Sequence, residues 1–241
     1  MSSMIDVLYI VGDGSLYNNE ELKYSLRSLE ENCWDVRDVY IAGYCPDFID
    51  KGKVIWCDVQ DVSNPRFNHW WKVHNTFKKH KEMTKDVVLM YDDIFMTKQV
   101  SLEHYPYYYS GELYARTEIN RYHLAKQKSK VFLETIGKPI LDFENHCPIR
   151  YNRSKFLKME DIFSGLKDDV VRLSVRSVYA NQYSKPKEMV MQTDLKIREP
   201  VQNIEKVIKN HDYFSISADQ LKGEVLRWLQ ERYKHKSKWE K

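Results

Sequence analysis

The residues best suited to chemistry follow a short apolar run near the middle of the chain. Residues 86–90 end in Tyr91, and two adjacent carboxylates, Asp92 and Asp93, come next. Ligands of open α/β sheets bind beyond the carboxyl ends of buried strands, so acids at this point favour a metal ion and a phosphorylated ligand. Adjacent carboxylates repel each other unless a divalent cation, a basic side chain or water offsets the repulsion. The pattern predicts an enzyme that binds Mg²⁺ or Mn²⁺ at Asp92 and Asp93, with a solvated acidic turn as the structural alternative.

Composition limits the class of protein. The chain has 241 residues, of which 42% are hydrophobic, enough for one large domain with a real core. The start, residues 1–6, has neither the basic residues nor the apolar stretch of a signal peptide, and we expect a cytoplasmic protein without membrane insertion. Four cysteines without C-x-x-C spacing are expected to be reduced thiols. A net charge of +3 does not identify a partner.

The order of elements predicts an α/β fold. Strands are expected at 5–11, 37–42, 53–57 and 86–90. A first helix is expected after Asn18 or Asn19, either of which can cap it, and a second helix over 68–81. This alternation predicts a mainly parallel, Rossmann-like sheet flanked by helices. We expect a single domain over 1–241, with an α/β core in 1–160 and a helix-rich part in 161–241. In the latter part, helices are predicted over 166–183, over 200–209 and after Ser217, with Asp219 in the first turn of the last one.

Two further segments bear on the site. The first strand ends in a tight loop, Gly12, Asp13, Gly14 and Ser15, at the edge where ligands bind. His146 precedes Pro148 by two residues, and Pro148 fixes an extended path beside the imidazole. A lone histidine is usually structural, and the aromatic cluster 105–109 (YPYYY) is more often a packing feature than a sugar platform.

Two basic runs with interleaved aromatics, 78–81 (KKHK) and 232–241 (RYKHKSKWEK), are typical of phosphate contacts. Solvated helix faces and a frayed C-terminus explain the same residues, and we favour this interpretation.

Several motifs, in the right order, resemble those of a known family. They are residues 5–15 (IDVLYIVGDGS), 21–30 (ELKYSLRSLE) with 34–41 (WDVRDVYI), 67–68 (FN), 91–95 (YDDIF), 146–148 (HCP) and 214–219 (FSISAD). Together they resemble the Stealth family of sugar-phosphotransferases, which includes bacterial capsule polymerases and the lysosomal-enzyme N-acetylglucosamine-1-phosphotransferase. Tyr91 stands where that family has Asn, His69 where it has Ser, and only Asp219 is kept of the final acidic motif.

The resemblance implies a glycosyltransferase-A-like fold and a nucleotide-sugar donor, such as a UDP-sugar, bound by the core in 1–160. It implies catalytic roles for Asp13, Asp93 and His146; either Asp13 or His146 can act as the general base, and we prefer His146 because an imidazole titrates near neutrality. The predicted substrate-binding residues are Gly12, Gly14, Ser15, Arg27, Asn68, Lys72 and Asp219, with Arg37 and Arg66 as additional sources of positive charge.

The sequence therefore predicts a metal-assisted, nucleotide-sugar-dependent transferase that moves a sugar, or a sugar 1-phosphate, to the hydroxyl of a glycan or small acceptor. Because Tyr91 and the last motif depart from the family, we expect plain glycosyl transfer. One alternative is a DNA glycosyltransferase acting on hydroxylated bases of duplex DNA, with the basic runs on phosphates. A second alternative is a sugar-binding module without turnover.

Overall fold

The computed structural model describes residues 4–62, 67–114, 120–166 and 172–241. The strands are β1 (Ile5–Val11), β2 (Val36–Gly43), β3 (Ile55–Cys57), β4 (Asp86–Tyr91), β5 (Ile94–Met96), β6 (Tyr107–Tyr109), β7 (Ile149–Asn152), β8 (Met189–Met191), β9 (Lys196–Ile197) and β10 (Tyr213–Ile216). The helices are α1 (Glu20–Asn32), α2 (Asn68–Lys79), α3 (Arg121–Thr135), α4 (Arg153–Leu157), α5 (Glu160–Ser164), α6 (Val175–Tyr183), α7 (Ile204–Ile208) and α8 (Gly223–Arg232).

A five-stranded sheet in the order β3-β2-β1-β4-β7 forms the centre of the fold. The first four strands are parallel, and β7 runs antiparallel to β4. The α/β class and the mainly parallel sheet predicted from the sequence are confirmed. The edge strand β7 was not predicted, because four residues after Pro148 are too few to show periodicity.

Alternating residues of β1 bury the two faces of this sheet in separate cores. Val7 and Tyr9 pack with Leu22 and Leu26 of α1 on one face. Leu8 faces the other side, where helices α2, α4, α5 and α6 contribute half of the buried aromatic side chains. This alternation follows from the two-residue period of a strand, and it places a helical layer on each face.

The order of the strands reverses at β1, which lies between β2 and β4. Ile10 pairs with Tyr91 across the parallel ladder, so β1 and β4 end side by side. The loop after Val11 and the Asp92–Asp93 turn therefore share one edge. In open α/β sheets this reversal opens the crevice where ligands bind.

The C-terminal part contributes strands as well as helices. β10 pairs with β5 in antiparallel fashion and with β9 in parallel, and β8 pairs with β6. Ser215 of β10 consequently bridges Ile94 and Lys196. These strands of two to four residues were missed because they are too short to give a pattern, yet they bring Lys196 beside the end of β4.

Helix boundaries in this part differ from the prediction. Of the helix expected over 166–183, the described residues show only α6, which begins at Val175; α5 ends at Ser164, before the predicted range, and 167–171 lie outside the described residues. The helix predicted over 200–209 is observed as the shorter α7, Ile204–Ile208. It begins after Asn203, whose side chain caps it by accepting from Lys206 N.

The last helix begins at Gly223 rather than after Ser217, and Asp219 precedes it. The intervening turn buries Gln220 and Leu221, and this packing delays the helix. Asn19 lies before α1 in a left-handed conformation without a side-chain capping bond.

The C-terminus is docked, and the expectation of a frayed end is wrong. Trp239 is buried, and its carbonyl accepts from Asp50 N at 2.9 Å. The Glu240 carboxylate accepts two hydrogen bonds from the Arg27 guanidinium, from Nη2 at 2.7 Å and from Nε at 2.8 Å. A bidentate, partly buried pair of this kind is stronger than an exposed one and ties the tail to α1.

Among the described helices, none combines the length and apolar character needed to span a membrane.

Truncating the buried tail residue tests this docking. Trp239→Ala should lower the free energy of unfolding by about 3 kcal/mol, because it removes a large side chain from the core. Lys234→Ala, at an exposed position of the same segment, should change it by less than about 0.5 kcal/mol. Urea denaturation of both variants measures the difference, and equal stability would show that the tail is loose in solution.

Candidate active site

Asp93 is the centre of a charged cluster at the end of β4. Its Oδ1 lies 2.5 Å from His146 Nε2, and its Oδ2 accepts from Lys196 Nζ at 3.2 Å. Burial alone would raise the pKa of the Asp93 carboxyl, but His146 and Lys196 outweigh it and hold that pKa below its usual value. Asp93 is therefore an ionised carboxylate with both oxygens engaged.

Asp92 has the opposite electrostatic surroundings. Burial raises the pKa of its carboxyl to about 7, and the negative charges of Asp93 and Glu21 add to the shift. Glu21 accepts from Ser15 Oγ at 2.5 Å through one oxygen, while its buried Oε2 has no hydrogen-bond partner among the described residues. This concentration of acceptors favours a proton or a cation at Asp92.

Stacking on Tyr91 also fixes the His146 imidazole. It stacks on Tyr91 with 4.7 Å between the centroids and 22° between the planes. The Tyr91 hydroxyl lies 2.7 Å from His69 Nδ1, and His69 Nε2 lies 3.2 Å from the Tyr151 hydroxyl. Burial, with the positive charges of Arg176 and His146, lowers the pKa of His69 to about 3, so this imidazole is neutral. A neutral ring satisfies both contacts if Tyr91 donates to Nδ1 and Nε2–H donates to Tyr151.

The second part of the site is a pocket of about 320 Å³ beside the carboxyl ends of β1, β2 and β3, which we call the donor pocket. Lys72, from α2, is buried in its wall and donates to Val11 O at 2.8 Å and to Asp61 at 2.6 Å. The Trp56 ring lines the opposite side with Lys51 Nζ 4.4 Å from its centroid. Asp13 lies at the same pocket. The pocket thus combines an aromatic face with two cations and carboxylates.

The close approach of Lys72 to β1 requires a glycine at the end of β2. Gly43 has a φ of +103°, and a Cβ there would lie 2.4 Å from Val11 O and 2.6 Å from Lys72 Nζ. Any side chain would be strained and would displace the ammonium group. From the sequence, this residue was interpreted only as the end of a strand.

The loop residues predicted to bind substrate lie at the same edge. Apart from chain neighbours, a Cβ at Gly14 would meet no atom of the described residues within 4 Å, and a Cβ at Gly12 would meet Gly14 N at 4.0 Å. The described backbone there therefore leaves room for a ligand. Ser15, through its bond to Glu21, links this loop to the acids. Asp219 is joined to the loop by its carbonyl, which accepts from the Tyr17 hydroxyl at 2.9 Å.

Other predicted residues hold the scaffold. Asn68 Oδ1 accepts from Val62 N at 2.8 Å and so orders the segment that carries Asp61. Arg27 is paired with Glu240, and Arg37 with Asp6 at the other end of β1, and neither contact involves Asp92, Asp93 or His146. Arg66 lies outside the described residues.

The side chains fit a divalent cation only in part. Within the described ranges, no three His, Cys, Asp or Glu side chains are grouped to hold a metal ion. Asp93 has no uncommitted oxygen, whereas Asp92 would be relieved of repulsion by a cation. One carboxylate is compatible with Mg²⁺, which usually keeps water and shares substrate phosphates rather than filling a cage of protein ligands.

Several residues of the site were not identified from the sequence, among them Trp56, Asp61 and Lys196. Trp56 was noted only as part of a strand, and Asp61 lies in a segment without periodicity. Lys196 carries no local signal, because its partner Asp93 is distant in the chain.

Comparison with known proteins gives similarity of fold only. By sequence, the chain matches no protein-family model and no curated protein. By structure, it is similar to the galactosyltransferase LgtC in complex with donor and acceptor sugar analogues, with a TM-score of 0.49 and 11% identity over 95% of this chain and 94% of that chain. It is also similar to a glycosyltransferase involved in glycosylation of the major capsid of PBCV-1, with a TM-score of 0.45 and 11% identity over 96% and 100% of the two chains.

The raised pKa of Asp92 gives a pH-dependent prediction. Between about pH 4 and pH 7 the unfolded carboxyl ionises while the folded one keeps its proton, so Asp92 lowers stability as the pH rises. Asp92→Asn should therefore stabilise the protein by about 2 to 4 kcal/mol at about pH 8.5 and by only about 1 kcal/mol at about pH 4.5. Chelator-treated protein, unfolded in urea at both pH values, gives the measurement.

The control for this variant is Asp47→Asn at an exposed position, which should show the same small effect at both pH values. A pH-independent effect of Asp92→Asn would mean that Asp92 is ionised throughout this range.

Proposed function

We propose that this protein transfers a sugar from a nucleotide-activated donor to a hydroxyl acceptor. The observation that carries the proposal is the His146–Asp93–Lys196 cluster at the edge where β1 and β4 end, on the same edge as the donor pocket. A carboxylate that orients an imidazole is a recurrent arrangement for moving protons, and a pocket at a strand reversal is a recurrent place for nucleotides.

The donor pocket suits a nucleoside diphosphate. Trp56, 40% exposed, offers a flat face on which a base can stack, and Lys51 beside it can meet phosphate oxygens. The Lys72 ammonium is bonded to Val11 O and Asp61, so we assign it to the structure of the pocket wall and not to phosphate binding. A volume of about 320 Å³ lies within the usual range for small-ligand sites.

His146 is the proposed general base. Its Nε2 faces Asp93, which leaves Nδ1 as the ring nitrogen for the proton of the acceptor hydroxyl. The acceptor oxygen then bonds to the anomeric carbon as the bond from that carbon to the diphosphate breaks, and the nucleoside diphosphate leaves with the electron pair. Asp93 stabilises the imidazolium that forms, and Lys196 balances the carboxylate charge. Asp13 remains the alternative base.

Asp92 is the residue that would hold Mg²⁺ or Mn²⁺ when the donor is bound. When bound, the cation supplies positive charge against the leaving group.

The resemblance to sugar-phosphotransferases supports a second route, in which phosphorus rather than carbon is attacked and a nucleoside monophosphate leaves. We favour carbon because the motif residues that differ from that family, Tyr91 and His69, contact each other directly beside His146.

A DNA acceptor has less support. In the basic runs, Lys78 pairs with Glu160 at 3.0 Å and His80 with Glu82 at 2.8 Å, so part of their charge is neutralised.

Nucleotide binding is the first test. A nucleoside diphosphate should bind in calorimetry with Mg²⁺ or Mn²⁺ present, and Asp92→Asn should weaken binding about tenfold or more by removing the ligand of the cation. Glu231→Gln, an exposed carboxylate of α8, should bind like the unaltered protein. Binding of equal strength in a chelator would contradict the cation proposal.

Turnover is the second test, with a panel of nucleotide sugars and glycan acceptors. His146→Ala should reduce turnover by about a hundredfold or more while nucleotide affinity stays near normal. Chromatography should show release of the nucleoside diphosphate. Exclusive release of the monophosphate would establish phosphoryl attack, and turnover only on base-modified duplex DNA would make DNA the acceptor.

A further inference from the structure

Another cavity is lined by residues that lie close in sequence to His146 and Lys196 of the charged cluster. It has a volume of about 400 Å³, and its wall includes Tyr114, Tyr122, Lys126, Asp142, Thr193 and Arg198. We propose that this cavity, the acceptor pocket, binds an uncharged carbohydrate whose hydroxyl is glycosylated. This identification of the acceptor rests on the proposed function.

Two chain segments lead from the acceptor pocket to Asp93. Asp142 lines the pocket, and His146, four residues later, contacts Asp93 Oδ1. Thr193 also lines it, and Lys196, three residues later, contacts Asp93 Oδ2. Since an extended residue spans at most ~3.6 Å, both walls of the pocket begin within about 14 Å of the charged cluster. A di- or trisaccharide covers such a span.

The same two segments are tied to each other. Asn145 Nδ2 donates to Gln192 O at 2.8 Å and so joins the residue before His146 to the residue before Thr193. The Glu144 backbone N donates to Asp142 Oδ1 at 3.0 Å. The path from the pocket to His146 is thus preformed rather than assembled by a ligand, which lowers the entropic cost of binding.

The wall has the two kinds of surface that sugars require. Tyr122 is 41% exposed and Tyr114 is 53% exposed, and their faces can cover the C–H side of a pyranose ring. Lys126 and Asp142 form a largely buried pair at 2.6 Å, with Lys126 Nζ also 4.5 Å from the Tyr122 ring. The Lys126 ammonium keeps donors beyond the one that bonds Asp142, and a charged donor held in place makes a stronger hydrogen bond to a sugar hydroxyl.

The balance of charge favours a neutral ligand. The cations of the wall already face carboxylates, Lys126 with Asp142 and Arg198 with Asp194 at 3.7 Å. A polyanion such as nucleic acid is bound by uncompensated cations that release counterions, and these two pairs offer little of that driving force.

The test compares the two pockets with variants at exposed positions. Saturation-transfer NMR is performed with lactose, maltose and N,N'-diacetylchitobiose, with the donor pocket filled by a nucleoside diphosphate. At least one disaccharide should bind, and Tyr122→Ala and Arg198→Ala should each weaken it about fivefold, as expected for loss of one stacking or hydrogen-bonding contact. Nucleotide affinity in these variants should stay within about twofold. Tyr44 lines the donor pocket, so Tyr44→Ala should weaken nucleotide binding and leave the affinity for the disaccharide nearly unchanged.

The proposal is overturned if none of the disaccharides binds, or if Tyr44→Ala weakens the sugar as much as Tyr122→Ala does. It is also overturned if duplex DNA binds with a steep salt dependence that Arg198→Ala abolishes. If a disaccharide binds but no nucleotide does, the sugar site is supported and the proposed transfer from a nucleotide-activated donor is refuted. Bound nucleotide without bound sugar would refute the acceptor pocket alone.

Discussion

The geometry of the site depends on one carboxylate. Asp93 accepts from His146 on one oxygen and from Lys196 on the other, and these two residues belong to segments 53 and 103 positions away in sequence. Because the Asp93 charge is buried, leaving it unpaired would cost several kcal/mol. This cost orders the His146 loop and the β9 strand around the end of β4, and with them both walls of the acceptor pocket. The geometry of the candidate site and the local stability of these segments are therefore consequences of the same contacts.

Much of the scaffold was accessible from the sequence. The strands β1, β2 and β4 are buried on both faces, so they appear as nearly continuous apolar runs, and the parallel sheet follows from their alternation with helices. The position of Asp13 and the Asp92–Asp93 pair at one edge followed from the same argument. The edge strand β7 and the short strands β8 to β10 were not predictable, because tertiary pairing rather than local pattern defines them.

The contacts of the site were harder to predict than its location. Nothing in the sequence indicates that the negative charge of Asp93 is balanced by cations whereas Asp92 has none beside it among the described residues. The difference comes from His146 and Lys196, which contact Asp93. Arg27 lies in a motif that resembles a family element, yet its partner is Glu240, and a resemblance carries no information on such pairs. Conversely, two residues that depart from the family pattern, Tyr91 and His69, are 22 positions apart and share a hydrogen bond. Only the fold shows that these two side chains contact each other.

The contact between Gly43 and Lys72 has a consequence for the divergence of this chain. The ammonium of Lys72 occupies the space that a Cβ at position 43 would need. A larger residue at 43 stays incompatible with the fold even when the side chain at 72 is shortened, because its Cβ would still lie 2.4 Å from the Val11 carbonyl oxygen at a φ of +103°. Glycine should therefore persist at position 43 in homologues that keep this fold, whereas Asp61 and Lys72 form an ion pair and are expected to change together.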